Sequence, residues 1–164
     1  MSTSASLLKP SRRVLRFESI ADLLEELDRI EAADRSGRLR ATGGWTVGQI
    51  LSHVAAWIDY AYDGYPVKPP PFFIRWILRW MFRRMLRDGM RPGVRIPGVR
   101  GGTTGAALID TPLGISKLRT SLERLARREP AKFSSPAFGE MSDDDRIQLT
   151  LRHAELHLSF LAID

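Results

Sequence analysis

The chain contains only three histidines, and two of them stand four residues apart: His153 and His157 in "RIQLTLRHAELHLSFLAID". The third, His53, lies in "WTVGQILSHVAAW". Side chains four apart on a helix occupy adjacent turns, so two imidazole nitrogens can hold one metal ion while a facing helix supplies a third ligand. Three neutral nitrogens suit divalent transition metals such as Zn, Ni, Fe or Mn and leave coordination positions free. Free positions belong to a centre that binds or activates a ligand rather than to a structural staple. The plainer reading is a set of ordinary core histidines, since the spacing alone is not specific. Against it, an imidazole buried without a partner costs about 1 to 3 kcal/mol, and here three point inward.

That inward direction follows from the helices that must carry them. On the last helix, at 100° per residue from His153, the polar side chains Asp145, Gln148, Arg152, Glu155 and Ser159 fall on one side and predict a narrow solvated face. His157 lies about 40° to the other side, among Leu149, Leu156, Phe160 and Leu161. On the helix of "WTVGQILSHVAAW", His53 falls at the edge of the stripe formed by Ile50, Val54, Trp57 and Ala61. All three imidazoles therefore have a route to one point. Around it, Gln49 lies one turn before His53, and Arg146 lies about 20° from His153 two turns earlier, where it could meet an anionic substrate group. Both are weak catalytic candidates; for Arg146 the alternative is a side chain snorkelling at a helix end. Glu155 is set aside as a base because it falls on the solvated face, and Asp59 is read as a surface group.

Four helices carry this pattern. The first starts after Ser19, with Asp22 as capping partner and Ile20, Leu23, Leu24, Leu27 and Ile30 on one stripe, and ends near "ADRSGR". The second starts at Thr46, with Gln49 reaching back, and breaks at "DGYPVKPPP". The third takes Thr111 as cap and Pro112 at the first helical position, repeating Ile115, Leu118, Leu122 and Leu125 up to "REP". The fourth follows Ser142, places Asp143, Asp144 and Asp145 at the positive end of the helix dipole, and runs to about Leu161. The class is all-α, a four-helix bundle with one long crossover. Within the irregular crossover, residues 66–110, "GVRIPGV" is at most a short extended piece. Residues 1–164 read as a single domain, with 1–11 a flexible lead.

Composition narrows the chemistry. In 164 residues there is no cysteine, which excludes thiolate ligands, thiol nucleophiles and disulfides and suits a cytoplasmic protein. Hydrophobic residues at 43% and charged residues at 27% are those of a globular chain. The net charge of +6 comes from 25 basic and 19 acidic residues, only four of the basic ones lysine. No recognised nucleic-acid motif accompanies them, so nucleic acid is not the expected partner. "PSRRVLRF" lacks the apolar run of an export signal. The crossover segment "FFIRWILRWMFRRMLRDG" is a further, basic amphipathic helix: Ile74, Ile77, Leu78, Met81, Phe82 and Met85 share one face, and Arg75, Arg79, Arg83 and Arg87 gather opposite with Trp76 and Trp80 beside them. It could pack on the bundle with a solvated arginine face, close over the bundle as a lid, or lie on an anionic membrane surface.

The order of "WTVGQILSHVAAW" and a final helix containing "RHAELHL" resembles the DinB-like (YfiT-like) four-helix bundles, and "RRVLRFESIADLLEELDRI", "GGWTVGQILSHVAAW" and "SSPAFGEMSDDDRIQLTLRHAELHLSF" resemble a branch of it known as a domain of unknown function. The resemblance spans about residues 12 to 161. It implies metal ligation by His53, His153 and His157, a small-molecule substrate, and, because the superfamily includes S-transferases and isomerases that use low-molecular-weight thiols, a thiol as second cofactor. Metal-assisted hydrolysis is the next chemistry it implies, and pairing into a homodimer is common among such bundles. Leu156 stands where many members of the branch have an additional histidine. From another class, the alternative is a non-catalytic module that binds a small ligand, a membrane surface or a protein partner through the basic helix.

Overall fold

Each bundle helix begins where a side-chain oxygen can take a free amide. In the computed structural model, which describes residues 12–96 and 99–164, Ser19 and Asp22 form a capping box ahead of α1 (Ile20–Arg35), and Thr46 and Gln49 form another ahead of α2 (Val47–Asp63). Ser142 caps α5 (Asp143–Leu158), whose first turn carries three aspartates. At α4 (Thr111–Ala126) the expected cap is off by one residue. Asp110 accepts from the Leu113 amide at 2.9 Å, Thr111 opens the helix, and Pro112 follows it. An aspartate there both accepts the amide and brings negative charge to the positive end of the dipole, which a threonine cannot do.

The fold is predominantly helical. Helices α1, α2, α4 and α5 make the bundle, with Leu23, Leu27 and Ile30 of α1, Leu51, Val54 and Ile58 of α2, Leu118 and Leu122 of α4, and Leu151 and Leu158 of α5 buried between them. The most extensively packed pair is α2 and α4. Between them Asp59, expected at the surface, accepts from the Ser121 hydroxyl at 2.8 Å and pairs with Arg124, and burial raises its pKa.

The last helix stops at Leu158, short of the expected Leu161, because the chain then pairs as a strand. Strand β1 (Leu39–Ala41) and strand β2 (Leu161–Ile163) run antiparallel, Leu39 opposite Ile163 and Ala41 opposite Leu161. The Thr42 amide and hydroxyl both donate to the Phe160 carbonyl, at 2.8 and 3.0 Å, and extend the ladder by one step. The small sheet thereby ties the end of α5 to the approach of α2.

The solvated face expected on α5 is largely covered. Gln148 is exposed, but Arg152, Glu155 and Ser159 are buried. An extended stretch, residues 12–18, lies along them: the Arg13 amide donates to the Ser159 carbonyl at 3.0 Å, the Phe17 amide donates to Glu155 Oε1 at 2.7 Å, and Arg152 donates to the Phe17 carbonyl. Arg152 and Glu155 also form an ion pair at 3.1 Å. The covering segment has no periodicity, so helix patterning alone reads its polar partners as wet. The flexible lead expected at 1–11 lies outside the described residues.

The basic helix forms as α3 (Phe72–Asp88), but only part of its expected apolar face is covered: Phe82 is buried, and Ile74, Leu78 and Met85 are half-buried. Its most deeply buried residues are Phe82 and Leu86, with the Phe82 ring tilted against Phe138 at 4.8 Å, while Ile77 and Met81 are turned to solvent with Trp76 and Trp80. "GVRIPGV" gives a turn and loop at 93–96, and its residues 97 and 98 lie outside the described residues. No helix among the described residues is long and apolar enough to cross a membrane.

Removing one member of a buried ion pair leaves a buried uncompensated charge. Arg152→Ala is expected to lower unfolding free energy by about 3 kcal/mol, read as a shift of the urea midpoint. A loss below about 0.5 kcal/mol, the size expected of a surface change, would return Glu155 to solvent.

Candidate metal centre

The three histidines meet on the seam between α2 and α5. His53 lies in the second turn of α2 and His153 and His157 in the C-terminal half of α5, helices that pack directly against each other. Their rings form a nearly equilateral triangle: centroids are 4.4 Å apart for His53 and His157, 4.5 Å for His153 and His157, and 5.0 Å for His53 and His153. Each pair of rings is inclined by 56 to 74°. One nitrogen from each residue falls in a set whose members all lie within 4.8 Å of one another, close enough to bind a metal. His53, 2% exposed, is the floor of the seam, and the α5 pair is half-buried at its rim.

The backbone decides which nitrogen of His53 faces the others. Its Nδ1 sits 2.7 Å from the Thr104 carbonyl oxygen. A carbonyl only accepts, so Nδ1 carries the hydrogen and Nε2 keeps its lone pair, the arrangement that orients metal-ligating histidines. Desolvation pushes the His53 imidazole down to about 4 and that of His157 to about 3, the latter also by the neighbouring His53 charge. His153 is held well below its ordinary value by desolvation, with the charges of His157 and His53 acting in the same direction. All three are neutral at pH 7 and offer lone pairs.

Two tryptophans wall the triad. The Trp45 ring stacks on His157 at 5.7 Å with an interplanar angle of 7° and meets His53 edge-on at 5.0 Å. Trp57 stands edge-on to His53 at 6.1 Å and to His153 at 5.8 Å, and its buried Nε1 has no acceptor among the described residues. Trp45 follows closely on the strand pairing, and Gly43 between them faces the Phe160 ring at ordinary contact distance.

Thr104 is held in place by a strap, residues 103–109, laid along α2. The Ser52 hydroxyl reaches the carbonyls of Gly105 and Ala107 at 3.2 and 3.1 Å. Gly105 has a φ of +82°, and a Cβ there would lie 2.7 Å from Ala56 Cβ. Gly48 has no such freedom of conformation to supply; its role is space, since a Cβ would lie 2.0 Å from the Ile109 carbonyl oxygen.

Of the other sequence candidates, Gln49 lies in the first turn of α2 with its amide oxygen accepting from the Thr46 amide at 3.0 Å. Arg146 is buried at the opposite end of α5 from the histidines: its Nη2 donates to the Glu129 carbonyl at 3.0 Å and to Asp143 at 2.6 Å, and its guanidinium lies 5.4 Å from the Tyr62 ring centre. Among the described residues neither side chain hydrogen-bonds to an imidazole. Sequence reasoning missed Thr104, Ser52 and the wall formed by Trp45. The one available signal was Gly48, since a glycine inside a helical pattern commonly marks close packing.

A family model described as a protein of unknown function (DUF1569) matches residues 9–163. The chain belongs to the DUF1569 family. No curated protein and no solved structure matches it. In this DUF1569 protein the match takes in all three histidines, the strap and both tryptophans.

The strap makes a direct prediction. Gly48→Ala is expected to cost about 2 to 3 kcal/mol by overpacking, while Gly44→Ala, where nothing lies within 4 Å, leaves stability unchanged. Paired urea titrations measure both, and equal small losses would show that the strap yields.

Proposed function

We propose that this DUF1569 protein is a metal-dependent enzyme of the DinB-like kind, holding one divalent transition metal on His53, His153 and His157 and acting on a small molecule. The observation that carries this reading is the convergence of three neutral imidazoles on one seam, with the Nδ1 hydrogen of His53 assigned to Thr104. The donor set fits: nitrogen ligands without thiolate suit Zn, Ni, Fe or Mn, and three ligands leave positions for a substrate. When bound, such an ion supplies Lewis-acid polarisation or a lowered pKa for a water or thiol beside it.

The chain's own residues do the rest. His53 is oriented by the strap, and the partly exposed His153 and His157 leave the triad open to a ligand from the rim. Trp45 and Trp57 give that approach aromatic walls that shield it from water. Glu155 is turned to the Phe17 amide on the far side of α5, so it is not available as a proton acceptor there. The order of histidine motifs that resembles thiol-using DinB-like enzymes supports transfer of a low-molecular-weight thiol as the reaction class, with metal-assisted hydrolysis second.

Elemental analysis of tag-free protein purified without chelator, beside His157→Ala, tests the reading. The expected result is about one equivalent of a transition metal, matching a single three-ligand centre, and its loss in the variant. Absence of metal from the parent even after reconstitution with Zn, Ni, Fe and Mn overturns it. In the loaded protein, metal-dependent consumption of a small thiol against a panel of electrophiles is the expected activity.

A further inference from the structure

Helix α3 leaves a long apolar stripe facing solvent. Phe73, Trp76, Ile77, Trp80 and Met81 recur at the three- and four-residue spacing of one helix face, and all are exposed. Trp76 and Trp80 are 72% and 77% exposed, and Phe72, at the start of the helix, 85%. Helix α3 itself supplies little of the bundle core, since only Phe82 and Leu86 of its side chains are buried. Such a contiguous aromatic surface on a folded chain marks an interaction site.

The charges around the stripe decide what it meets. The helix carries five arginines against one aspartate. Arg84 and Arg87 continue the apolar stripe into the last turn, where Asp88 is their only acidic partner on the helix. Arg83 flanks it and pairs with Asp145 of α5, and Arg91 and Arg95 in the following loop are exposed. The exposed stripe of α3 is therefore apolar and tryptophan-rich over its first turns and basic at its C-terminal end, while Arg75 and Arg79 lie off it. A second copy of the chain seated on the same stripe would add the same excess of positive charge. An anionic lipid surface supplies both the negative charge for the arginines and an interfacial zone for the tryptophan rings.

We propose that α3 docks this protein on the surface of an anionic bilayer, with Trp76 and Trp80 at the headgroup boundary and Arg84 and Arg87 on lipid phosphates. The helix lies in the plane of the interface; it is about 25 Å long at 1.5 Å per residue, and its arginines bar it from crossing. This docking is independent of the histidine centre.

Co-sedimentation of the full chain with vesicles of phosphatidylcholine alone and with 30 mol% phosphatidylglycerol tests it. Binding is expected only to the anionic vesicles, falling at least tenfold between low salt and about 0.5 M salt as charges are screened. Trp76→Ser with Trp80→Ser is expected to weaken binding at least tenfold with an unchanged circular dichroism spectrum, because both rings are already in solvent. Arg84→Gln with Arg87→Gln should weaken it in the same way and flatten the salt dependence. Failure to bind anionic vesicles, equal binding to neutral ones, or binding indifferent to the tryptophan substitutions would overturn the proposal. So would a concentration-dependent dimer in solution that the same tryptophan substitutions abolish, which would assign the stripe to a second copy. Metal content is unaffected in every arm, so this result and that of the elemental analysis stand apart.

Discussion

Three imidazoles can share one seam only while no two of them are charged, and burial favours the state in which none is. At the ring separations seen here, 4.4 to 5.0 Å, two imidazolium ions would repel by about 3 to 4 kcal/mol even at an effective dielectric of 20. Packing of α2 against α5 removes the water that would favour protonation, and the Thr104 carbonyl fixes where the remaining hydrogen of His53 goes. The rest of the molecule maintains that condition. The strap holds Thr104, the sheet brings Trp45 over His157, and the extended segment at 12–18 covers the outer side of α5. A triad that resists protonation is also one whose lone pairs are free, so the constraint that keeps the seam intact is the one that makes it a candidate ligand set.

Much of this was legible because it depends only on helix periodicity. Once "WTVGQILSHVAAW" and "RIQLTLRHAELHLSF" are read as amphipathic helices, the direction of each histidine follows from 100° per residue. The shared seam then follows from burying the two apolar stripes together. The capping boxes at Ser19 and Thr46 were legible for a similar reason: each needs only residues three apart. These are local signals, and tertiary packing in this bundle agrees with them.

What was not legible depends on contacts between distant segments. Arg152 and Glu155 look like a solvated face on a helical wheel; only the arrival of residues 12–18, about 135 positions away in sequence, makes them a buried pair. The end of α5 at Leu158 reflects strand pairing with Leu39–Ala41, three-residue strands too short to show alternation. The apolar residues of α3 show an amphipathic helix but not which of them the bundle takes. The bundle takes Phe82 and Leu86, through Phe138 and α5, and leaves Ile77 and Met81 outside. Thr104 contributes a backbone carbonyl, which no side-chain pattern encodes.

The crossover joins two parts with opposite mechanical roles. Residues 103–109 are fixed along α2 by Ser52, Gly48 and Gly105, and they reach His53 without involving α3. The strap therefore separates the orientation of His53 from whatever happens to the outer arm at 72–96. Sequence change in that arm can alter its length, charge or aromatic content while the hydrogen bond that orients His53 stays in place. Binding preference at the surface and ligand geometry in the seam can thus drift separately within one small chain.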